Sequence, residues 1–190
     1  MIAGYDYGRV PHSPITIEEL RQLERAAGWD DADAAVLHRI GDLIRHDAEA
    51  LVDSWRTVIG AQPELARWFF GPDGRPDEHY KARVKQRFVQ WVLDICFKPH
   101  DQAWLDYQDE IGKRHTPDKK NQTDHAATPS VVPLRYLLAF SAVVITSIRE
   151  FLEAHGAAGA DLVQFQRSWT KAVLLEMALW SRPYAEDGLW

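Results

Sequence analysis

The stretch DADAAVLHRIGDLIRHDAEALVDSWRTVIG, residues 31–60, shows which class of fold this chain adopts. Its apolar residues recur every three or four positions, which is the period of a helix with one buried face and not that of a strand. Asp30 or Asp31 can cap the first turn, and Gly60 can end the helix. The pattern therefore predicts one long helix from about residue 31 to residue 60. Its buried face comprises Val36, Leu37, Ile40, Leu43, Ile44, Leu51, Val52, Trp55 and Ile59.

Helical patterns continue on both sides of this stretch. Thr16 followed by Glu19 is a capping-box pattern that opens a short helix ending near Gly28. Pro63 suits the first turn of another short helix, because its missing N–H needs no partner there. The remaining helices are predicted at about 77–97, 101–115, 132–155 and 160–181, and residues 1–14 as an irregular leader. Helices of mixed length that change direction at proline and glycine fit an all-α, globin-like stack, formed by one domain over residues 1–190.

The composition excludes several classes of function. A net charge of -6 argues against a nucleic-acid partner, because neutralising phosphates requires clustered lysine and arginine. No apolar run approaches the roughly 20 residues that span a bilayer, and the N-terminus has no signal-peptide pattern. The single cysteine, Cys96, cannot form an internal disulfide, and we expect it to be a buried structural residue. A cytoplasmic protein without a membrane or nucleic-acid partner is expected.

Eight histidines are the candidate metal ligands, and one of them stands out by position. His115 lies four residues after Ile111, so it continues the apolar face of the helix predicted at 101–115. A loop of about fifteen residues, 116–130, follows it, and loops of that length are often functional. On spacing alone the commoner explanation is a core-edge histidine bonded to a backbone carbonyl, or a protonated histidine at a helix C-terminus. The other histidines are expected at the surface: His12, His38, His46, His79, His100, His125 and His155.

Several ordered segments resemble the protoglobins, a family of haem-binding globins. The segment around Trp104, Tyr107 and Ile111, with Arg114-His115 and 119–124 after it, resembles the part of that family that carries the proximal histidine. Further similar segments run nearly end to end and in the same order. They are Gly4–Gly8, Ser54-Trp55, Pro72–Gly74, Arg87-Phe88 with Trp91, Leu134–Leu137 with Phe140, and Ala178–Ser181 with Pro183-Tyr184.

This resemblance implies a function and a site. It implies haem b as cofactor, with His115 as the axial iron ligand, because the porphyrin supplies four ligands and the protein need supply one imidazole. It also implies an extra N-terminal helix, a leader that helps to enclose the haem, and a homodimer packed through the last two long helices. The expected haem-contacting residues are Trp55, Arg56, Ile59, Val84, Arg87, Phe88, Trp91, Tyr107, Ile111, His115, Leu137, Phe140 and Val144.

Arg56 departs from the family pattern, which commonly has tyrosine after the tryptophan that corresponds to Trp55. An arginine inside the pocket would offer charged hydrogen-bond donors to a ligand. Burying a guanidinium is costly unless it is paired, so we expect Arg56 to turn outward, toward a propionate or solvent.

Three functions are compatible with these observations. The first is reversible binding of a diatomic gas (oxygen, carbon monoxide or nitric oxide) for transport, storage or sensing. The second is a haem enzyme with peroxidase-like, nitric-oxide-scavenging or other haem-mediated transfer activity, and Arg56 is the residue that favours it. The third is a haem-free helical module that keeps the globin shape. A visible absorption spectrum separates the third from the other two.

Overall fold

The computed structural model describes residues 2–186, 188 and 190, and every regular element in this part of the chain is helical. The first half contains α1 (Ile17–Ala27), α2 (Asp31–Ile44), α3 (Ala48–Ala61), the short α4 (Pro63–Ala66) and a 3₁₀ turn (Arg67–Phe69). The second half contains α5 (Glu78–Phe97), α6 (Gln102–Lys113), α7 (Leu134–Ala154), α8 (Gly159–Ser181) and a final 3₁₀ turn (Arg182–Tyr184). None of the helices in the described residues is long and apolar enough to cross a bilayer.

The helix starts predicted from capping residues are confirmed. The Thr16 side chain accepts from the Glu19 N–H, and the Glu19 carboxylate accepts from the Thr16 N–H at 2.7 Å. Asp30 caps α2 in the same reciprocal manner with Asp33. Asp101 accepts from the Trp104 N–H at 2.9 Å and so opens α6. These local hydrogen bonds satisfy N–H groups that a helix start leaves without partners.

The prediction of one helix over residues 31–60 is wrong, because a turn at 45–47 divides it into α2 and α3. The Asp47 N–H bonds to the Ile44 carbonyl at 2.9 Å, and Asp47 has a non-helical backbone, with φ -120° and ψ 9°. The spacing from Ile44 to Ala48 to Leu51 keeps helical intervals across the turn. The hydrophobic pattern therefore does not indicate the turn at 45–47. The turn lets α2 pack against α5 and α8 while α3 packs against α5 and α7.

The core is organised around α8, which packs against α1, α2, α6 and α7. Trp169 of α8 is fully buried, and its indole N–H donates to the Val144 carbonyl of α7 at 3.1 Å. Cys96 is buried in α5, as expected from the sequence, and burial raises the pKa of its thiol. The helices α5, α6 and α7 enclose a cavity beside α8.

One histidine predicted at the surface is buried. The side chain of His100 is 10% exposed and its Nδ1 lies 2.8 Å from Glu24 Oε1. Its ring stacks between Trp29 and Trp104, with centroids 4.7 and 4.0 Å away. The sequence neighbours Pro99 and Asp101 gave no sign of these partners, which come from α1, α6 and the turn before α2. His12, His38, His46, His79 and His125 are exposed, and His155 is half-buried.

Asp33 joins α2 to α8 and provides a test of this packing. Burial opposes its ionisation, yet hydrogen bonds from Lys171 and Ser168 lower its pKa below the usual value. Asp33→Ala should lower the free energy of unfolding by about 2 kcal/mol, because it leaves the Lys171 ammonium and the Ser168 hydroxyl without their partner. Asp31→Ala, in the same helical turn but exposed, is the control and should change it by less than about 0.5 kcal/mol. Equal effects in urea unfolding would contradict the assigned role of Asp33.

Candidate functional site

A mainly apolar cavity of about 230 Å³ lies between α3, α5, α6, α7, α8 and the segment 116–133. Its walls combine aromatic and aliphatic side chains with a few polar groups, which is the usual make-up of a site for an apolar ligand. Ile59, Val84, Phe88, Trp91, Leu137, Phe140 and Val144 form much of the apolar wall, with Tyr107 and Ile111 from α6.

His115 lies at the edge of this cavity, two residues after α6 ends. Its backbone N–H bonds to the Gly112 carbonyl at 3.0 Å, and its Nδ1 lies 2.9 Å from the Ile111 carbonyl oxygen. A carbonyl can only accept, so Nδ1 carries the proton, and the Nε2 lone pair is left free. The Trp180 ring stacks on the imidazole, with centroids 5.6 Å apart. These contacts fix both the tautomer and the orientation of the ring, as hydrogen-bond partners of the second ring nitrogen do in metal-binding histidines.

His115 is held in its neutral form. Burial is the main cause that lowers its pKa to about 4, and the Lys120 and Arg114 cations lower it further. The hydrogen bond to the Ile111 carbonyl acts in the opposite direction. Near neutral pH the imidazole is therefore uncharged, which is the form that binds a metal ion.

Residues 16–190 match the family model described as Protoglobin. The chain belongs to the protoglobin family. The structure is also similar to the globin domain of the Geobacter sulfurreducens globin-coupled sensor, with a TM-score of 0.69 and 16% sequence identity over 87% of this chain and 97% of that chain. No curated protein matches the sequence. The all-α, globin-like fold expected from the helical pattern is thereby confirmed.

Most residues that the sequence assigned to the site of this protoglobin line the cavity. The exceptions are Trp55 and Arg56. Trp55 is buried behind the wall, with its ring 5.4 Å from Phe88 and 6.5 Å from Trp91 between centroids. Its indole N–H donates to Ser147 Oγ at 2.6 Å. Arg56 turns outward to Asp53, with Nη1 3.0 Å from Oδ1, so its charge is kept out of the cavity.

Trp91 is anchored by a buried acid. Its indole N–H donates to Glu176 Oε2 at 2.5 Å, and Glu176 is only 2% exposed. Burial raises the pKa of Glu176 well above its usual value, and nearby Asp94 adds to the shift. The surroundings therefore favour the neutral carboxyl group over the carboxylate, because burial disfavours the charged form.

Charged and polar groups collect at one edge of the cavity. Arg87 forms a two-point ion pair with Asp124, with nitrogen–oxygen distances of 3.0 and 2.5 Å, and also donates to the Ala3 carbonyl. Arg114 bonds to Glu110 at 2.9 Å and to the Gly4 carbonyl at 2.6 Å. Both arginines therefore hold the leader against this edge.

Gly4 fits this position because it has a φ of +72° and little space around it. An added Cβ would lie 2.5 Å from Thr123 Cγ2 and 2.9 Å from Arg87 Nη1. The leader backbone approaches the edge of the cavity as closely as a residue without a side chain allows.

Sequence reasoning missed a set of lining residues. They are Leu65, Trp68, Phe69, Tyr80, Arg114, Lys120, Thr123, Asp124, Val132, Tyr136, Ser141, Val173, Met177 and Trp180. Two signals were present. The unusual length of the loop 116–130 marked it as functional, and Trp180 lies in one of the segments that resemble the family. Neither signal shows which side chains turn inward.

The neutral state of His115 should make the haem-free protein sensitive to mild acid. A group whose pKa falls from 6.5 in the unfolded chain to about 4 in the folded chain contributes stability above pH 6.5, and this is lost as pH falls toward 4. The free-energy difference between wild type and His115→Ala should therefore shrink by about 3 kcal/mol across that interval. Urea unfolding at a series of pH values measures it.

His155→Ala is the matched control for this titration. His155 makes the same type of bond, from Nδ1 to the carbonyl four residues earlier, but it lies outside the cavity and its pKa is raised. Its contribution should therefore be present at low pH and lost as pH rises through the folded pKa. A difference for His115→Ala that stays constant between pH 6.5 and 4 would show that the imidazole is not held neutral.

Proposed function

We propose that this protoglobin binds haem b through His115 and reversibly binds a diatomic gas (oxygen, carbon monoxide or nitric oxide) at the iron. The observation that carries the proposal is the neutral imidazole of His115, whose Nδ1 is bound to the Ile111 carbonyl at the edge of an apolar cavity. A porphyrin completes four of the iron ligands, so this one imidazole is sufficient.

The side chains of the cavity fit a haem group. Phe88, Phe140 and Val144 offer an apolar surface suited to a flat macrocycle, and Trp180 supports the ligating ring. Membership of the family also supports haem binding. Iron protoporphyrin, when bound, supplies the atom to which a gas coordinates. The protein supplies a neutral ligand in a fixed orientation and a wall that limits the access of water.

The position of Arg56 does not support the enzyme alternative. A peroxidase-like or nitric-oxide-scavenging reaction would gain from a cationic donor in the pocket. Arg56 instead pairs with Asp53 outside the set of lining residues. Reversible gas binding, for transport, storage or sensing, is the function that this arrangement favours.

We further propose a cytoplasmic homodimer that packs through α7 and α8. Leu138 on α7 and Val163 and Leu174 on α8 are 49%, 55% and 50% exposed, and such apolar side chains lose unfavourable contact with water in an interface. The single cysteine, Cys96, is consistent with a reducing compartment. Analytical ultracentrifugation of Leu174→Lys against wild type would test the interface.

Absorption spectra of the ferrous protein and its carbon monoxide complex test haem binding. The wild type should show a strong Soret band that shifts on addition of carbon monoxide. His115→Ala should bind haem much more weakly, or give an altered spectrum, because no other histidine lines the cavity among the described residues.

His155→Ala is the control and should retain the wild-type spectrum. If His115→Ala keeps the same spectrum and the same affinity for carbon monoxide, the axial assignment is wrong. If the wild type shows no Soret band even after haem is added, the haem-free helical module is the correct alternative.

Arg56→Leu tests the choice between gas binding and catalysis. Because Arg56 faces Asp53, the variant should release oxygen and carbon monoxide at rates within about twofold of wild type. Phe88→Leu, which changes the cavity wall, is the comparison and should alter the rates by a larger factor. A loss of peroxide turnover in Arg56→Leu with unchanged gas release would favour the enzyme alternative.

A further inference from the structure

Lys120 is a buried cation without an anionic partner among the described residues. It is 4% exposed and lines the cavity. Its ammonium group donates to two neutral acceptors, the Trp68 carbonyl at 3.0 Å and Thr128 Oγ1 at 2.7 Å, with Asn121 Oδ1 more distant at 3.5 Å. The Tyr80 ring lies 5.1 Å from Nζ. Burying an ammonium without a carboxylate is unfavourable, and burial lowers the pKa of Lys120 to about 8.

Trp68, which contacts Lys120, carries a buried donor without an acceptor among the described residues. Its indole Nε1 is buried and has no hydrogen-bond partner in the part of the chain that the structure describes, although its side chain lines the cavity. Leaving a buried N–H without an acceptor is unfavourable, and native structures contain few such groups. The backbone carbonyl of Trp68 accepts from the Lys120 ammonium, so the two residues are in direct contact, and both line the cavity.

The other cations near the cavity are already neutralised. Arg87 is paired with Asp124, and Arg114 is paired with Glu110, which also bonds to Lys119. A ligand carboxylate would have to compete with these protein carboxylates for either arginine. For Lys120, a ligand carboxylate would have no protein carboxylate to displace among the described residues.

We propose that Lys120, together with the indole N–H of Trp68, binds a carboxylate of the ligand in this cavity, namely a propionate group of haem. This inference rests on the proposed function, because it takes haem as the ligand. A carboxylate would give the ammonium an anionic partner and the indole an acceptor, so one ligand group would supply what each residue lacks. The alternative is that Lys120 only ties the loop 116–130 to the 3₁₀ turn at Trp68.

A comparison of haem with its dimethyl ester separates these roles. The ester has the same macrocycle and iron but no carboxylates. Wild type and Lys120→Met are titrated with each porphyrin, and dissociation constants are measured from the Soret band and from the quenching of tryptophan fluorescence. Lys120→Met should weaken haem binding about 10- to 100-fold, the range of a charge-assisted hydrogen bond, and should change the affinity for the ester by less than about threefold.

Trp68→Phe and Lys119→Met complete the experiment. Trp68→Phe removes only the indole donor and should weaken haem binding several-fold without affecting the ester, so it tests the assignment even if Lys120→Met does not fold. Lys119→Met is the matched control, because Lys119 adjoins Lys120 but is paired with Glu110 and does not line the cavity. It should leave the ratio of the two affinities unchanged.

Two outcomes would overturn the inference in different ways. If Lys120→Met and Trp68→Phe weaken both porphyrins by the same factor, these residues only support the loop, while haem binding through His115 stands. If the wild type binds neither porphyrin, the proposed function fails, and the assignment of Lys120 fails with it.

Discussion

The hydrogen bond from His115 Nδ1 to the Ile111 carbonyl is the interaction on which the character of the site depends. It spans the end of α6, where the chain has left the helix, and together with the stacked Trp180 ring it fixes the orientation of the imidazole. It also decides the chemistry, because a carbonyl acceptor forces the proton onto Nδ1 and leaves Nε2 as an electron-pair donor. A neutral carbonyl, unlike a carboxylate, adds little negative character to the ring. The imidazole is therefore a moderate electron-pair donor, which is compatible with its proposed role as an iron ligand.

The rest of the fold maintains the space in front of this ring. The turn at 45–47 sets α3 against α5 and α7, and Trp55 then packs behind Phe88 and Trp91. The bond from Trp55 to Ser147 joins α3 to α7 across the back of the wall. Trp91 is held in turn by Glu176 of α8. The indole N–H groups of Trp55 and Trp91 are thus bonded away from the cavity, and the apolar surface of Trp91 forms part of its lining.

Sequence patterns within one helical turn predicted the structure better than patterns that depend on contacts between distant parts of the chain. The capping residues Thr16, Asp30 and Asp101 act within one helical turn, so their pattern was sufficient. The turn at Asp47 escaped detection because the apolar intervals continue through it. The apolar stripes correctly indicated that Trp55 is buried, but a stripe does not tell the inner surface of a cavity from the core behind it. Lys120 and Trp68 were missed because they are 52 positions apart and each is ordinary in its own sequence context.

The leader gives the cavity a kinetic property that its lining alone does not. Arg87 and Arg114 each bind a leader carbonyl, at Ala3 and Gly4, while Tyr5 donates to Asp94 at 2.8 Å. A ligand too large to slip past this segment must leave through a local opening that breaks these bonds together. Such a segment slows entry and departure by the same factor, so it lengthens residence time without changing equilibrium affinity. In the proposed haem complex, slow opening of this segment would therefore retain the haem for long periods, whatever the strength of its equilibrium binding.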